Sequence, residues 1–359
     1  MNMRTKRLND VANSTTLPQS IAREDLITSL SRKISGILSP LIPRGSSVAL
    51  VDFPNHPNVG DSMIWLGERS YLDSIGVSIV YTCDHSNYSQ GELTTRLKDG
   101  IILIHGGGNL GDLYPHHHRL REAVIKTFPK NKIIQLPQSV LFKDKTNLEQ
   151  AADVFDGHPD FTLLAREKQS FEFARNEFHA RCILCPDSAF ILGALHRPKT
   201  SLLSSLFAPS RKEILWLSRT DDESRDGLFP PIGADVERTD WLEEPKLILE
   251  PNRPTLEAYD FLAKERMSRG SRILSRGNIV ITDRLHGHIL SLLLEIPHII
   301  LDNSYGKMRS FYETWTKDFT SVHWADSPED ALALARSLSR DSLRKRIVYR
   351  ILGRNFRIS

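Results

Sequence analysis

The feature that most constrains the fold is the alternation of short apolar runs rich in β-branched residues with longer segments of helical periodicity. Strands of this kind are buried on both faces of a parallel sheet, and the helices between them provide the crossovers. The pattern therefore predicts the α/β fold class. In the first half of the chain the predicted strands are Ser47–Phe53, Ser78–Thr82, Ile101–His105, Lys132–Leu136, Phe161–Ala165 and Arg181–Leu184.

A second series of strands follows a segment of small and polar residues, 196–210, in which few core contacts are expected to cross. At roughly 150 residues per domain, 359 residues favour two domains. We predict an N-terminal extension (1–40) and two Rossmann-like domains (41–200 and 201–359) that face each other across a cleft. The strands of the second series are Glu213–Leu217, Lys246–Leu249, Asn278–Thr282 and His298–Asp302.

Helical periodicity fills the segments between these strands. The ends of the predicted helices are less sharply defined than their centres, because residues at helix termini fray. The predicted helices are Arg23–Leu38, Asp61–Ile75, His117–Phe128, Glu167–Phe178, Thr255–Met267, His286–Glu295 and Pro328–Leu338.

Charge and hydropathy exclude several classes of protein. Lys and Arg (47) exceed Asp and Glu (44) by only three, too small a surplus for a dedicated nucleic-acid binder. The N-terminal charges are not followed by the apolar core of an export signal, and the most apolar stretch, Ile289–Leu301, is broken by polar residues. We expect a cytoplasmic protein. Its basic tail, Arg340–Arg357, is either a helix that packs back on the protein or a patch at the inner membrane face.

Two sequence patterns resemble metal or redox sites only superficially. Cys182 and Cys185 form a single C-x-x-C, and the remaining cysteine, Cys83, is distant, so a strand followed by a loop is favoured. The three consecutive histidines 116–118 cannot all face one ion from a regular element. No metal site is therefore predicted, although one of the three, most simply His117, could face the cleft.

The strongest local signal is an apolar strand that runs through a charged turn, Thr282–His288, into an apolar helix. Backbone amides at the helix start attract anions, Arg284 could add a forked contact, and His286 could transfer a proton near neutral pH. A structural alternative stays equally open, in which Asp283 caps the helix and Arg284 pairs with a nearby carboxylate. His288 is expected to be structural.

Glycines follow the third predicted strand, and glycine lets another group approach the backbone closely. Gly106, Gly108 and Gly111 formally satisfy G-x-G-x-x-G. However, the next strand ends in Gln-Leu-Pro-Gln (135–138), without the carboxylate that would bind a ribose. A dinucleotide site is therefore disfavoured, and a tight turn without a ligand remains an alternative.

Polar residues also follow the first strand. Asn58 and Asp61 could bind sugar hydroxyls, because short amides and carboxylates make directional hydrogen bonds. Asp61 could equally cap the helix that follows, and we weigh the two interpretations alike.

Three arginines follow predicted strands: Arg166, Arg219 and Arg284. Most arginines in such positions form exposed ion pairs of little energetic value. The strand carboxyl ends are expected to meet in the cleft, however, and three arginines there suit a small, multiply charged substrate.

Seven motifs, in order, resemble the polysaccharide pyruvyl transferases over roughly Val48–Tyr305. Each motif alone is weak, but the consistent order over both predicted domains is specific. Residues 1–40 and the basic tail fall outside the match. The matching segments are Asn58-Val59-Gly60-Asp61, His105-Gly106-Gly107-Gly108-Asn109, Gln135-Leu136-Pro137-Gln138-Ser139, Ala165-Arg166-Glu167, Pro186-Asp187-Ser188-Ala189, Ser218-Arg219 and Thr282-Asp283-Arg284-Leu285-His286-Gly287.

The resemblance implies an architecture similar to glycosyltransferase-B, with phosphoenolpyruvate as donor and a sugar diol as acceptor, so that the product is a pyruvate ketal. Phosphoenolpyruvate is a co-substrate, and no other cofactor is implied. The implied catalytic residues are His286 as acid–base with Arg284 and Arg166. The donor site would contain Arg166, Arg219, Arg284, Leu285 and Gly287, and the acceptor side Asn58, Asp61, His105, Gly107, Asn109 and His117.

Other functions stay open at this point. A nucleotide-sugar-dependent glycosyltransferase of the same fold could hold a diphosphate with the same arginines. A non-catalytic sugar-binding protein is a third interpretation. If the first is right, the acceptor is a sugar of an exopolysaccharide or cell-surface polysaccharide, either free or lipid-linked.

Overall fold

The computed structural model describes residues 23–198, 212–220, 228–231, 236–242, 254–302 and 306–340. Within them, two parallel β-sheets alternate with helices, which confirms the α/β class. The predicted domain boundary at residue 200, the predicted strand Lys246–Leu249 and the tail beyond Arg340 lie outside the described residues.

The first sheet contains seven strands in the order β2-β1-β3-β5-β6-β7, with β4 paired to β5. All pairs are parallel. The order reverses between β1 and β3, so the loops after these two strands diverge and leave a crevice between them. The strands are β1 (Ser47–Val51), β2 (Ser78–Cys83), β3 (Ile101–Ile104), β4 (Gly107–Gly111), β5 (Ile133–Leu141), β6 (Phe161–Ala165) and β7 (Arg181–Leu184).

The glycine-containing segment Gly107–Gly111 was expected to form a turn, but it does not. It is the short strand β4, which pairs with the second half of β5, so β5 is longer than predicted. Gly111 has φ +130°, and a Cβ there would overlap the backbone of Leu141. Glycine therefore permits close strand pairing here.

The second sheet contains five strands in the order β12-β11-β10-β8-β9, again all parallel. Its order reverses between β8 and β10. The three strands that were predicted here within the described residues all form. Two further strands, β9 and β12, have only three residues each and were not predicted. The strands are β8 (Lys212–Leu217), β9 (Glu237–Thr239), β10 (Gly277–Thr282), β11 (His298–Ile300) and β12 (Val322–Trp324).

All seven predicted helices form, and residues 328–340 form the last of them. The observed ends differ from the predicted ends by a few residues, except that α7 ends seven residues later than predicted. Three short or polar helices, α3, α5 and α9, were not predicted. The helices are α1 (Arg23–Leu38), α2 (Val59–Ser74), α3 (Gln90–Leu97), α4 (Pro115–Thr127), α5 (Lys145–Asp156), α6 (Lys168–Glu177), α7 (Leu256–Leu274), α8 (Leu285–Leu293) and α9 (Lys307–Phe311). None of the helices within the described ranges is both long and apolar enough to cross a lipid bilayer.

One apolar cluster joins the two sheets. It includes buried residues of β1 and α2 as well as residues of β8, α7 and α8. A polar contact reinforces the α2–α7 packing, because Asp260 accepts hydrogen bonds from Trp65 Nε1 (2.8 Å) and Arg69 Nε (3.1 Å). This packing holds the carboxyl ends of strands from both sheets around one pocket.

Candidate active site

A pocket of about 590 Å³ lies where the two strand-order reversals meet, which is where ligands bind in open α/β sheets. Its size suits a small-molecule site. The lining residues come from loops and helix starts of both sheets, and they include most of the predicted site. They are His56, Pro57, Asn58, Asp61, Gly108, Asn109, Tyr114, His117, Arg166, Arg219, Trp241, Leu242, Arg284, Leu285, His286 and Lys307.

Arg166 follows β6 and is almost completely buried. Its Nη1 donates to Asp187 Oδ2 (3.0 Å) and its Nε to Ser139 Oγ (2.8 Å). These bonds fix the guanidinium. The remaining nitrogen, Nη2, lies only 3.1 Å from the point that a Cβ on Gly108 would occupy. The missing side chain of Gly108 therefore leaves room beside a buried cation.

His286 lies in the first turn of α8, and its Nε2 is 3.2 Å from Oδ2 of Asp187, the oxygen that Arg166 also contacts. Burial alone would raise the pKa of Asp187, but the charges of His286 and Arg166 lower it well below its usual range. Asp187 is thus a carboxylate that supports positive charge on both partners. The other ring nitrogen of His286, Nδ1, lies beside Gly60. A methyl group added to the Cα of Gly60 would overlap the imidazole ring.

Arg284 is held by a buried two-bond contact to Asp240, with Nε donating to Oδ1 (2.7 Å) and Nη2 to Oδ2 (2.6 Å). Trp241 lies beside the guanidinium, 5.5 Å from ring centre to Cζ. The structural alternative for Arg284, a carboxylate partner, is thus confirmed, and the arginine still lines the pocket. The paired carboxylate fixes the direction of the guanidinium.

Asp283 does not cap α8, contrary to the alternative considered from sequence. The N-cap residue is Arg284, which makes no side-chain capping bond. Asp283 Oδ1 accepts instead from the backbone N–H of Arg219 (2.9 Å), because the loop after β8 runs beside the loop after β10. Burial raises the pKa of Asp283 to about 6, against the opposing charge of Arg284.

Lys307 adds a further cation to the pocket. It lies in the first turn of α9 and is 6% exposed, and its Nζ is 4.0 Å from the point that a Cβ on Gly108 would occupy. Lys307 and Arg166 therefore converge over the same glycine. An anion is the natural ligand of two buried cations at one place.

The opposite part of the pocket is formed by the loop after β1. Asn58, not Asp61, caps α2, through Oδ1, which accepts from the N–H of Gly60 (3.0 Å). Asn58 Nδ2 donates to Asp61 Oδ2 (2.8 Å), and His56 Nε2 lies 3.5 Å from the same oxygen. Burial would raise the pKa of Asp61, but neighbouring charges, first His56 and then His286, lower it. Asp61 is therefore an anionic hydrogen-bond acceptor.

Two buried arginines of α7 hold this loop in place. Arg266 Nη1 donates to the carbonyl of Pro54 (2.7 Å). Arg269 Nη2 donates to the carbonyls of Pro57 (2.6 Å) and Trp241 (3.0 Å), which lie on the two sides of the pocket. A single guanidinium thereby connects the two walls.

His117 and Asn109 also line the pocket, as predicted for the acceptor side. His117 Nδ1 lies 2.7 Å from Asp52 Oδ1. Asn109 Oδ1 accepts from Arg121 Nη2 (2.9 Å) and Gln138 Nε2 (2.6 Å), which fix the amide.

Comparison with known proteins shows the family of this chain. Residues 58–305, more than half of the chain, match the family described as polysaccharide pyruvyl transferase. The chain belongs to the polysaccharide pyruvyl transferase family. It is 37% identical over 312 residues to Pyruvyl transferase 1 of Schizosaccharomyces pombe, covering 80% of this chain and 75% of that protein. It is 32% identical over 316 residues to EpsO of Bacillus subtilis, covering 82% and 92%.

A solved structure supports the fold of this member of the polysaccharide pyruvyl transferase family. It is the crystal structure of a functionally uncharacterised protein from Klebsiella pneumoniae, with a TM-score of 0.54 and 19% identity. The match covers 83% of this chain and 99% of that one. At this identity it supports the α/β fold alone.

Three residues predicted for the pyruvyl transferase site do not line the pocket: His105, Gly107 and Gly287. His105 is buried, with Nδ1 2.7 Å from Glu68 Oε2. Gly107 has φ +134° beside Asp61. At Gly287 a Cβ would overlap side chains of β10 and β8, so the absence of a side chain serves helix packing.

The histidine and cysteine patterns are accounted for by packing in this family member. His118 Nε2 lies 3.3 Å from Glu122, and burial raises the pKa of the Cys182 thiol to about 12. Across the described ranges no group of three or more His, Cys, Asp or Glu residues is arranged to hold a metal ion.

Sequence reasoning assigned no role to several pyruvyl transferase residues that the structure places at the site. Asp187 stood within a quoted motif, but its two partners lie 21 and 99 positions away. Asp240 follows β9, whose three residues are too short for a pattern, and Lys307 begins the five-residue helix α9, which was not predicted. The sequence did contain a signal for Asp52, because this acidic residue directly follows a buried strand.

Proposed function

We propose that the protein transfers the pyruvyl group of phosphoenolpyruvate to two hydroxyls of a polysaccharide sugar and forms a cyclic ketal. The observation that carries this proposal is the convergence of Arg166, Arg284 and Lys307 on the pocket that also contains His286. Phosphoenolpyruvate has a carboxylate and a phosphate, and charge-assisted hydrogen bonds from such cations suit both groups.

The cations form two groups that match the two anionic ends of the donor. Arg166 and Lys307 meet over Gly108, where the missing side chain leaves space for one anionic group. Arg284, fixed by Asp240, and Arg219 lie on loops of the second sheet and suit the other. Leu285 adds an apolar surface for the three-carbon skeleton.

His286 supplies the proton that the chemistry requires. Asp187, 3.2 Å from Nε2, orients the ring and stabilises the imidazolium. Protonation of the methylene carbon makes the adjacent carbon electrophilic, and the first hydroxyl adds there. Phosphate then leaves with the proton of the first hydroxyl as the C–O bond to it breaks, and the cations stabilise its charge. The second hydroxyl closes the ketal and returns its proton to His286.

The acceptor side consists of short polar groups that suit sugar hydroxyls. Asn58 and Asn109 present amides, and Asp61 presents a carboxylate. We further propose that the two sheets are the cores of two Rossmann-like domains arranged as in glycosyltransferase-B, with the acceptor on the side of the first and the donor on the side of the second, where Arg166 and Gly108 of the first also contact it.

The test uses purified full-length protein, phosphoenolpyruvate, and a panel of free and lipid-linked oligosaccharides. We expect phosphate release that depends on one of the acceptors, with a product mass increased by a pyruvyl ketal. Release of a nucleoside diphosphate and addition of a hexose, with a nucleotide sugar as donor, would contradict the proposal.

The role of His286 is tested in the same assay. His286→Ala should retain phosphoenolpyruvate binding and lose turnover by about 100-fold or more, because proton transfer to carbon is removed. A variant with unchanged rate and pH dependence would remove His286 from the mechanism.

A further inference from the structure

A single turn of π-helix, Tyr312–Thr316, continues α9 and contacts elements of both sheets. The N–H of Lys317 donates to the carbonyl of Tyr312, five positions earlier (2.9 Å), which is the hydrogen bond of this wider helix. Such π turns are rare, and they occur frequently at functional sites. This π turn does not line the pocket, so any part that it plays in the reaction must pass through the residues that it contacts.

One side of the π turn holds the start of α6. Trp315 Nε1 donates to the backbone carbonyl of Arg166 (2.7 Å). Thr314 Oγ1 accepts from the backbone N–H of Lys168 (3.2 Å). Glu167, the N-cap residue of α6, makes no side-chain capping bond, so the Thr314 hydroxyl satisfies an N–H group that would otherwise lack a partner in the helix. The π turn therefore fixes the backbone that carries Arg166.

The other side of the π turn holds α8 through a buried chain of hydrogen bonds. His298 Nδ1 lies 2.8 Å from the carbonyl of Ile296, which only accepts, so Nδ1 carries the hydrogen and Nε2 is an acceptor. His288 Nδ1, 2.7 Å from that Nε2, is then the donor, and His288 Nε2 accepts from the hydroxyl of Thr316 (3.0 Å). Burial lowers the pKa of both histidines, that of His298 to about 4, so both rings are neutral near pH 7.

The chain of hydrogen bonds controls the orientation of α8 and hence of His286. Successive residues of an α-helix are about 100° apart around its axis, so His288 projects from roughly the opposite face to His286. His286 lines the pocket, whereas His288 is completely buried behind it. A fixed contact on the rear face of the helix therefore fixes the direction of the imidazole on the front face.

These contacts close a ring around the proposed site. In the pocket, Arg166 and His286 meet at Oδ2 of Asp187. Behind the pocket, two adjacent residues of the π turn, Trp315 and Thr316, connect the backbone of Arg166 to the helix of His286. Because protein interiors are close-packed, a displacement of the π turn is transmitted to both groups.

We propose that Trp315 and Thr316 are positioning residues for the reaction, and this inference rests on the proposed function. Trp315 sets the position of Arg166 at the donor, and Thr316, through His288, sets the direction of His286. The two residues act through different partners, so they affect different steps. Loss of the Trp315 contact weakens donor binding, whereas loss of the Thr316 contact slows proton transfer.

The test uses three substitutions in the full-length protein. Trp315→Phe keeps an aromatic ring but removes the N–H donor. Thr316→Val keeps the shape of the side chain but removes the hydroxyl, and Thr316→Ser retains the hydroxyl. The matched control is Trp65→Phe, because Trp65 Nε1 also donates between elements of the two sheets, to Asp260 (2.8 Å), but away from Arg166 and His286.

Phosphoenolpyruvate binding is measured by calorimetry, phosphate release at saturating donor and acceptor, and the melting temperature for each variant. We expect the donor Kd to rise by about 5-fold or more in Trp315→Phe. In Thr316→Val the kcat should fall by about 10-fold or more, with a donor Kd within about 3-fold of wild type. Thr316→Ser should retain most of the kcat. Trp65→Phe should lower the melting temperature without either change.

An unchanged donor Kd in Trp315→Phe, or an unchanged kcat in Thr316→Val, would overturn the inference. Losses of the same size in Trp65→Phe, or in Thr316→Ser, would also overturn it, because they would show a general effect of stability. Trp315 is only partly buried, so Trp315→Phe is expected to fold even if Thr316→Val does not, and its donor Kd then decides.

The wild-type protein separates this inference from the proposed function. If the wild type releases no phosphate from phosphoenolpyruvate with any acceptor, the proposed function fails and the inference fails with it. If the wild type is active and the variants behave like it, the inference fails alone.

Discussion

The imidazole of His286 lies 3.2 Å from the carboxylate of Asp187, although 99 positions separate the two residues in the chain. Asp187 follows the last strand of the first sheet, and His286 begins the helix after the central strand of the second. The same carboxylate oxygen accepts from Arg166. One buried anion therefore connects the proposed proton-transfer group to a proposed donor-binding cation across the two sheets.

This relationship predicts a large effect of Asp187→Asn. The substitution keeps the shape but removes the charge that supports both partners, so kcat/KM for phosphoenolpyruvate should fall by about 100-fold. Steady-state phosphate release measures it. Asp260→Asn is the control, because Asp260 contacts α2 outside the pocket. Equal losses in the two variants would show that Asp187 acts only through stability.

Lys307→Met tests the cation over Gly108. Loss of one charge-assisted contact of about 1.5–3 kcal/mol should raise the KM for phosphoenolpyruvate by roughly 10- to 100-fold and leave the acceptor KM unchanged. Lys168→Met is the matched control, since Lys168 is exposed on α6. An unchanged donor KM in Lys307→Met would place Lys307 outside the donor site.

Gly60→Ala should block the site without changing any polar residue. The new methyl group would overlap the His286 ring. Displacement of that ring should lower kcat by about 100-fold. Gly36→Ala, in α1, is the control, because nothing lies within 4 Å of the added atom. Full activity in Gly60→Ala would contradict the close approach of α2 to His286.

His105 provides a test in pH. Burial opposes its charged form, but the charge and hydrogen bond of Glu68 raise its pKa above 6.5. The pKa of a histidine in the unfolded chain is 6.5, so the pair stabilises the folded state fully below pH 6.5. This contribution is lost as the pH rises through the raised pKa of His105.

His105→Gln should therefore lower the free energy of unfolding by about 3 kcal/mol at pH 6 and by less at pH 9. Chemical denaturation at the two pH values measures this difference. The acceptor KM should not change, because His105 lies outside the pocket lining. A raised acceptor KM with unchanged stability would restore the acceptor role that the motif suggested.

The sequence was most informative where local pattern determines structure. The apolar runs predicted nine of the twelve strands that the described part of the chain contains, because buried parallel strands have a distinctive composition. The arginines after β6, β8 and β10 could be placed together because two facing Rossmann-like domains were expected to bring their strand carboxyl ends to the walls of one cleft. Strands β9 and β12, with three residues each, gave no such signal.

The rest depended on contacts between distant segments. Asn58 and Asp61 are both good capping residues, and only the helix start at Val59 decides between them. The glycine run predicted a turn, but pairing of β4 with β5 made it a strand. His105 was expected at the acceptor side from the resemblance of the motif that contains it, yet its Nδ1 lies 2.7 Å from Glu68 on α2.

Calorimetric titration of the purified protein with phosphoenolpyruvate tests the central claim most directly. We predict saturable binding of one donor molecule per chain, weakened roughly 10-fold or more by Arg166→Met and by Lys307→Met, and not displaced by a nucleotide sugar. Absence of binding, or equal binding by the wild type and both variants, would contradict the assignment of this pocket to the donor.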